Sequence, residues 1–487
     1  MPIKDLINAS IDESDIKKNI FRQIADEAGI VFFSEETKKL MRAYSDDDQD
    51  AINKLWKEML VDSICILKMN DSREKLYDDT KKLTEKSKVK INSPSKKQNP
   101  FSKAFSKIRQ ISSYGIDNLG KYFDAFVDYE TVLYGTDNYY RDHVKHLLQV
   151  WAIGISILHV NIKSFVIEKS TLSDSDFHFQ LDPSTKGKDD YFIFSKSEIW
   201  AMWTIIALCH DLGYPIEKTS KINEKARRII NHFGCINFEE LNFSFGLFSN
   251  FIVDKFLNII SSKVVKLQQS NEEDSGEFVT SIQSKYHDKL SKSLEEFKHG
   301  IFSSLLIFKD LTYFLETDYT YPLQRLDNED SRQFLIRKEI LRAIAAHTCP
   351  KLYHVKLNTL SFLLILCDEL QEWGRPKFDD FRSSESSKDI EVELSKCEIT
   401  TTKQEVALLF RYKKKSSSDM DKYIKDRFKH MHHLLRSAKD DKKREINFSW
   451  KVIFSDQVEY NFLFDSSKDS FDLISFTNSN KSSDKLY

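Results

Sequence analysis

Glycine and proline are scarce in this 487-residue chain, at 12 and 8. That argues against a turn-rich β-sandwich, a collagen-like repeat and a chain disordered throughout. Cysteine is sparse too. Cys65, Cys209, Cys235, Cys349, Cys367 and Cys397 form no CxxC pair. Cys209 and Cys367 end long apolar runs, which fits reduced, buried thiols and no disulfide framework. Neither charge sign dominates: 73 Lys plus Arg stand against 75 Asp plus Glu, a net −2. A whole-protein electrostatic footprint for nucleic acid is therefore missing, and stable nucleic-acid binding is not expected. The longest apolar stretch, Ile199 to Cys209, falls far short of the roughly 20 residues that cross a bilayer. The opening MPIKDLINASIDESD has no apolar h-region of a signal peptide. The expectation is a cytoplasmic protein without a membrane partner. No repeat of about 20–50 residues is found.

What is abundant is apolar bulk, with 36 Phe and 40 % hydrophobic residues, enough for a sizeable core. At roughly 150 residues per domain the length corresponds to about three units, and the reading is mainly α. Residues 1–130 form a helical N-terminal region, with 3.6-period spacing in IKKNIFRQIADEAGIVFF and DAINKLWKEMLVDSICILKM. Ser10 and Asp12 fall where N-cap and first-turn acids belong. The basic, proline-broken run 86–103 reads as an exposed loop. Residues 131–376 hold the long apolar helices of the molecular centre, with polar insertions at about 170–190 and 268–297. Past Pro376 the texture changes to strands. IEVELSKCEITTT, EVALLFRYK, INFSWKVIFS and QVEYNFLFD, with a helix over about 419–438, make a small ββαββ unit over 377–465. The polar tail 466–487 is expected to fray.

The chemistry-bearing residues sit on the apolar central helices. In WTIIALCHDLGYP the pair His210-Asp211 directly follows a strongly apolar run. Burying an imidazole and a carboxylate is costly unless something satisfies them, and a divalent metal does so. Upstream, His143 and His146 in YRDHVKHLLQV share one helical face. Downstream, Asp368 lies inside the apolar helix LLILCDELQEW. Three helices thus each offer metal-type ligands.

The order H…HD…D on separate helices resembles the HD-domain phosphohydrolase superfamily over about 139–375, roughly half the chain. His146-Leu-Leu-Gln-Val150 is similar to the first-ligand helix, ALCHDLGYP to the eponymous motif and ILCDEL to the closing Asp helix. His287-Asp288, in the polar run SKYHDKLSK, reads as a decoy. The resemblance implies an HD-domain helical core and a metal held by His146, His210, Asp211 and Asp368. It makes His299 and His347 candidates for a second metal or a phosphate contact. Imidazole and carboxylate ligands admit Mn, Mg, Fe, Zn or Co. The implied reaction is hydrolysis of a phosphoester or phosphoanhydride, with Asp211 polarising or deprotonating the attacking water. His143 or His299 would protonate the leaving group. Glu217 and Lys218 are candidate supporting or phosphate-contacting residues, with a surface ion pair as the alternative.

On substrate the resemblance divides. Deoxynucleotide triphosphohydrolases of the superfamily follow HD with further His, Phe and Gly residues, whereas this chain reads HDLGYPIEK. The leading expectation is a nucleotide-regulated deoxynucleoside triphosphate triphosphohydrolase, similar in build to nucleotide-depleting phage-defence effectors. A nucleotide effector and a homo-oligomer go with it. The alternative is a phosphodiesterase on cyclic nucleotides, oligonucleotides or RNA, and the third a catalytically silent nucleotide-binding module. Tyr313, Tyr319 and Tyr321 either stack on a base or belong to the core. The cations at 86–103 and at Arg411, Lys413, Lys414 and Lys415 lie outside the HD region, which ranks a nuclease lower. His354 reads as structural, His432 and His433 as solvated.

Overall fold

The computed structural model describes residues 21–26, 33–45, 48–71, 115–134, 143–165, 194–234, 247–266, 278–317, 325–352, 355–357, 359–371, 392–400, 405–412, 431, 438–439, 446–465 and 470–478. The chain is mainly helical, with a small sheet unit at its C-terminal end. No helix among the described residues is long and apolar enough to cross a membrane.

Residues 21–26 are helical, and the elements with described bounds begin with α1 (Glu35–Arg42) and α2 (Gln49–Asp71), followed by α3 (Ile116–Tyr134) and α4 (Val144–Phe165). At the centre runs α5 (Lys196–Cys209), started by a capping box between Ser195 and Glu198 and buried along nearly its whole length. Such all-round burial explains why its sequence shows so little amphipathic contrast. Helix α2 packs on α5, and Trp56 in α2 donates its Nε1–H to the Leu208 carbonyl at 2.8 Å. The N-terminal helices therefore share the core of the central ones. Helices α4 and α5 approach closely at Gly154, where a Cβ would lie 1.9 Å from the Trp203 ring. Trp203 Nε1 donates to the Trp151 carbonyl at 3.0 Å, and Trp151 Nε1 to Thr204 Oγ1 at 2.9 Å.

After α5 come α6 (Tyr214–Ile230) and α7 (Leu247–Ser261). The strands β1 (Ser262–Lys266) and β2 (Phe278–Ile282) then pair antiparallel. The part of the 268–297 insertion that the structure describes is ordered: β2 is followed by α8 (Ser284–Glu295). There His287 is half-buried, Asp288 is exposed, and neither joins a ligand cluster among the described residues. Next stand α9 (His299–Asp310), the short α10 (Thr312–Leu315), α11 (Asn328–Ala346), β3 (Val355–Lys356) and α12 (Leu360–Leu370). Helices α5, α9, α11 and α12 pack on one another around the HD turn.

The C-terminal strands β4 (Val392–Thr400), β5 (Glu405–Tyr412), β7 (Asn447–Ile453), β8 (Val458–Asp465) and β9 (Ser470–Asn478) form a five-stranded sheet in that order, with β5 and β7 parallel. Two expectations are corrected here. The tail beyond Asp465 is not simply frayed, because β9 pairs antiparallel with β8. Its Ser and Asp residues hid a strand whose Leu473 and Phe476 stand opposite the buried rings of Phe462 and Tyr460 in β8. The helix expected to reach Ala438 ends earlier: Ala438 and Lys439 form β6, parallel to β3. Of that helix only Met431 is described, helical and buried. The runs 86–103 and 170–190, together with His354, Tyr319, Tyr321, His432, His433 and Lys413 to Lys415, lie outside the described residues. Tyr313 is described and fully buried, with the Arg337 guanidinium 4.6 Å from its ring centre. It is a core residue, not a platform for a base.

Cys65, Cys209, Cys349 and Cys367 are free and buried, and burial pushes the Cys65 thiol up to about 12. They belong to the packing, as apolar thiols do.

Candidate metal centre

Helix ends converge at the centre. His210 is the C-cap residue of α5 and His347 the C-cap residue of α11. His299 is the first residue of α9, His146 lies in the first turn of α4 and Asp368 in the last turn of α12. Asp211 occupies the turn between α5 and α6, with its carbonyl accepting from Tyr214 N–H at 2.9 Å.

Asp211 stands between two sets of ligand atoms. Its Oδ2 is 3.6 Å from His146 Nε2 and 3.5 Å from His210 Nε2. Its Oδ1 is 3.1 Å from His299 Nε2 and 3.6 Å from His347 Nε2. Asp368 Oδ1 closes the first set at 2.9 Å from His146 Nε2 and 3.9 Å from His210 Nε2. Three overlapping ligand groups result: His146, His210 and Asp211; His210, His347 and Asp368; Asp211, His299 and His347. Within each group the donor atoms lie within 4.8 Å of one another.

Every one of the four imidazoles is oriented from behind. His146 Nδ1–H donates to Gln371 Oε1 at 2.6 Å, and Gln371 in turn donates to Gln149 Oε1. His210 and His347 return their Nδ1–H to the carbonyl three residues back, Ala207 at 2.9 Å and Ile344 at 2.6 Å. His299 Nδ1–H donates to Glu217 Oε2 at 2.7 Å, and the same oxygen accepts the His299 backbone N–H at 2.8 Å. With Nδ1 engaged from behind, Nε2 is the atom each ring turns to the shared interior, the arrangement in which metal-bound histidines are held.

The electrostatics agree with that role. Burial pulls His210 down to about 4, so it is neutral and ready to ligate. Burial alone would raise Asp211 and Asp368, but the facing histidines outweigh it and hold both carboxyls below the usual range. Burial likewise opposes the charge on His299, yet hydrogen bonds to Asp211 and Glu217 push it up to about 10. Glu217 is held at about 2 by His299 against its own burial. Two ionised carboxylates among four inward Nε2 atoms are a donor set of the kind that Zn, Mn, Fe or Co accept.

The structure thus brings together His146, His210, Asp211, Asp368, His299 and His347. Glu217 joins them through His299 and is not a surface ion pair. Lys218 is buried, with Nζ 4.6 Å from the centre of the Tyr214 ring, which in turn lies 5.0 Å from that of His299. His143 is buried rather than on the surface, its Nε2 4.0 Å from Asp211 Oδ2 and its ring centre 4.1 Å from that of Tyr214. Its backbone N–H donates to Glu130 Oε1 at 2.7 Å, and its Nδ1 faces the same oxygen at 3.4 Å. The cluster is closed around His146 and His210, whose side chains are fully buried. It opens beside Asp368 and Glu217, whose side chains are 30 % and 27 % exposed.

Several supporting residues left little trace in the sequence. Tyr122 in α3 donates to the Leu212 carbonyl, and Gly213 N–H donates to Ser303 Oγ at 2.7 Å. Gly213 and Gly300 allow the close approach: a Cβ on the first would lie 2.3 Å from the His299 carbonyl, and on the second 2.6 Å from that of Ile344. Gln371 had a readable signal, since it lies three residues beyond Asp368 on the same helical side. Glu130 had a weaker one, an acid inside the apolar run FDAFVDYETVLY.

No protein-family model, curated protein or solved structure matches this chain.

Proposed function

We propose that the chain is a metal-dependent phosphohydrolase acting on nucleotides, and in the first reading a deoxynucleoside triphosphate triphosphohydrolase. The observation that carries this reading is the common orientation of His146, His210, His299 and His347. Each has Nδ1 engaged outward and Nε2 turned to one side or the other of Asp211. His146, His210, Asp211 and Asp368 would hold one divalent ion, and Asp211, His299 and His347 a second. A divalent ion supplies a lowered pKa for bound water and neutralises charge on a phosphoryl oxygen.

The chain's own groups divide the remaining work. Asp211, kept ionised by its histidines, orients the attacking water. His143, backed by Glu130, holds a proton at Nε2 on the Asp211 side. Where a single ion is held, His299, with Glu217 behind its Nδ1, would instead serve the leaving oxygen through Nε2. The substrate phosphate enters on the side of Asp368 and Glu217, and the apolar helices behind His146 and His210 exclude water from the rear. The second ligand group supports the phosphodiesterase as a second reading, because two ions clamp both oxygens of an in-line displacement.

A product analysis with metal quantification tests these readings. Protein loaded with Mn is incubated with each dNTP, each NTP and a panel of cyclic and short linear nucleotides, singly and mixed, beside Asp211→Ala. Inorganic triphosphate and a nucleoside establish the first reading, and opened or shortened nucleotides the second. Silence throughout, with metal retained, leaves a nucleotide-binding module. Unchanged metal content in Asp211→Ala overturns all three.

A further inference from the structure

The C-terminal sheet has two unlike edges. One is β4. It carries Glu393, Lys396 and Glu398, the kind of charged residues that discourage pairing at a sheet edge, and α4 packs against it. The other edge is β9, and among the described residues no strand lies beyond it. Its sequence SFDLISFTN contains a single charge, Asp472, and neither proline nor glycine.

Three apolar residues of β9 are bare. Leu473, Ile474 and Phe476 are 51 %, 63 % and 52 % exposed. Their location explains why this matters. Leu473 pairs with Phe462 and Phe476 with Tyr460, and those residues pair in turn with Trp450 and Val452. Phe462, Tyr460, Trp450 and Val452 are all buried. The covered apolar face of the sheet therefore continues onto β9 and there runs out of cover. Beside this strip runs the outer row of β9 backbone N–H and C=O groups, which a further strand satisfies by direct pairing.

We propose that the occupant is β9 of a second copy of this chain, paired antiparallel about a twofold axis into one continuous sheet. The charge pattern fits self-pairing. Asp472 lies opposite Leu463 on the open face, whereas Leu473 and Phe476 share the face of Phe462 and Tyr460, so an axis between Ile474 and Ser475 sets Asp472 against Thr477 of the second copy and Leu473 against Phe476. That axis also lays the two exposed strips side by side. With β4 carrying charges and packed against α4, the pairing closes at two copies and does not propagate.

Sedimentation velocity on the full chain over about 1–100 μM tests the proposal. The expected result is a concentration-dependent species of twice the 57.1 kDa chain mass. Ile474→Lys and Phe476→Lys each weaken it at least tenfold, and Phe251→Lys, equally exposed but on α7, leaves it intact. Hydrogen exchange of β9 amides slows with concentration in the unmodified chain and not in Ile474→Lys, which separates lost pairing from lost folding. A monomer at every concentration, assemblies growing past two copies, or a dimer that survives both β9 variants overturns the proposal.

Discussion

His210 and His347 hold the same position on two different helices. Each is a C-cap residue, each returns its Nδ1–H to the carbonyl three residues back, and their ring centres lie 5.1 Å apart at 75°. A helix C-terminus leaves carbonyls without intrahelical partners. One of them here fixes a tautomer, so the helix end and the ligand are oriented by a single bond. Between the two rings stands Asp211, with one oxygen for each set of ligands.

That shared carboxylate makes two variants distinguishable. Asp211→Asn is expected to lose nearly all bound metal, because both proposed ions would use its carboxylate. His347→Ala removes a ligand of the second proposed ion and leaves His146, His210, Asp211 and Asp368 in place. Elemental analysis after dialysis should give about two ions per chain in the unmodified protein, about one in His347→Ala and near none in Asp211→Asn. Circular dichroism should show all three folded.

Gly300 supports the second group sterically. A Cβ there would meet the Ile344 carbonyl and Thr348 Oγ1 at 2.6 Å and His347 Cε1 at 2.8 Å. Gly300→Ala should destabilise the fold by about 1–3 kcal/mol through overpacking and reduce metal content toward one ion. A urea titration and elemental analysis of one preparation read both effects.

Trp56 links the N-terminal helices to the HD turn. Trp56→Phe leaves the buried Leu208 carbonyl without the Nε1–H it accepts at 2.8 Å and a void where the second ring stood. The expected cost is about 1–3 kcal/mol, seen as a lower urea midpoint with an unchanged slope.

Asp62 supplies a pH dependence remote from the metal centre. Its Oδ2 accepts the Ser34 N–H at 2.8 Å and the Thr37 hydroxyl at 2.6 Å, tying α2 to the start of α1. Burial outweighs these bonds and raises its pKa from 3.8 to about 6. The folded chain therefore binds more protons than the unfolded chain between those values. This contribution is complete below about pH 4 and is lost as pH rises through about 6, so that stability at pH 7 is lower by about 3 kcal/mol on this account. Asp62→Asn should flatten that part of the stability profile. Equal slopes for the variant and the unmodified chain between pH 4 and 7 would assign the dependence to other groups.

The ligands were legible in the sequence because polar residues such as His146, His210, Asp211 and Asp368 stand out within apolar helices. Their orienting partners were not. The Ala207 and Ile344 carbonyls belong to backbone and leave no residue signature, and Glu130 and Tyr122 reach the site from α3, outside the region that resembled the HD pattern. In the sheet, β9 went unread because one extra residue, Ile474, interrupts its alternation where the register shifts opposite Asn461 and Phe462. The end of the C-terminal helix was misread at Ala438, whose pairing partner Val355 lies far upstream.

The span of the centre along the chain has a consequence for biosynthesis. Its first ligand is His146, and the residue that orients that ligand is Gln371. During translation the two are separated by most of the nascent polypeptide, and the second group also waits for His347 to emerge. The cluster can therefore close only after α12 has been made, and any ion it takes is acquired after that point, not as the first helices fold.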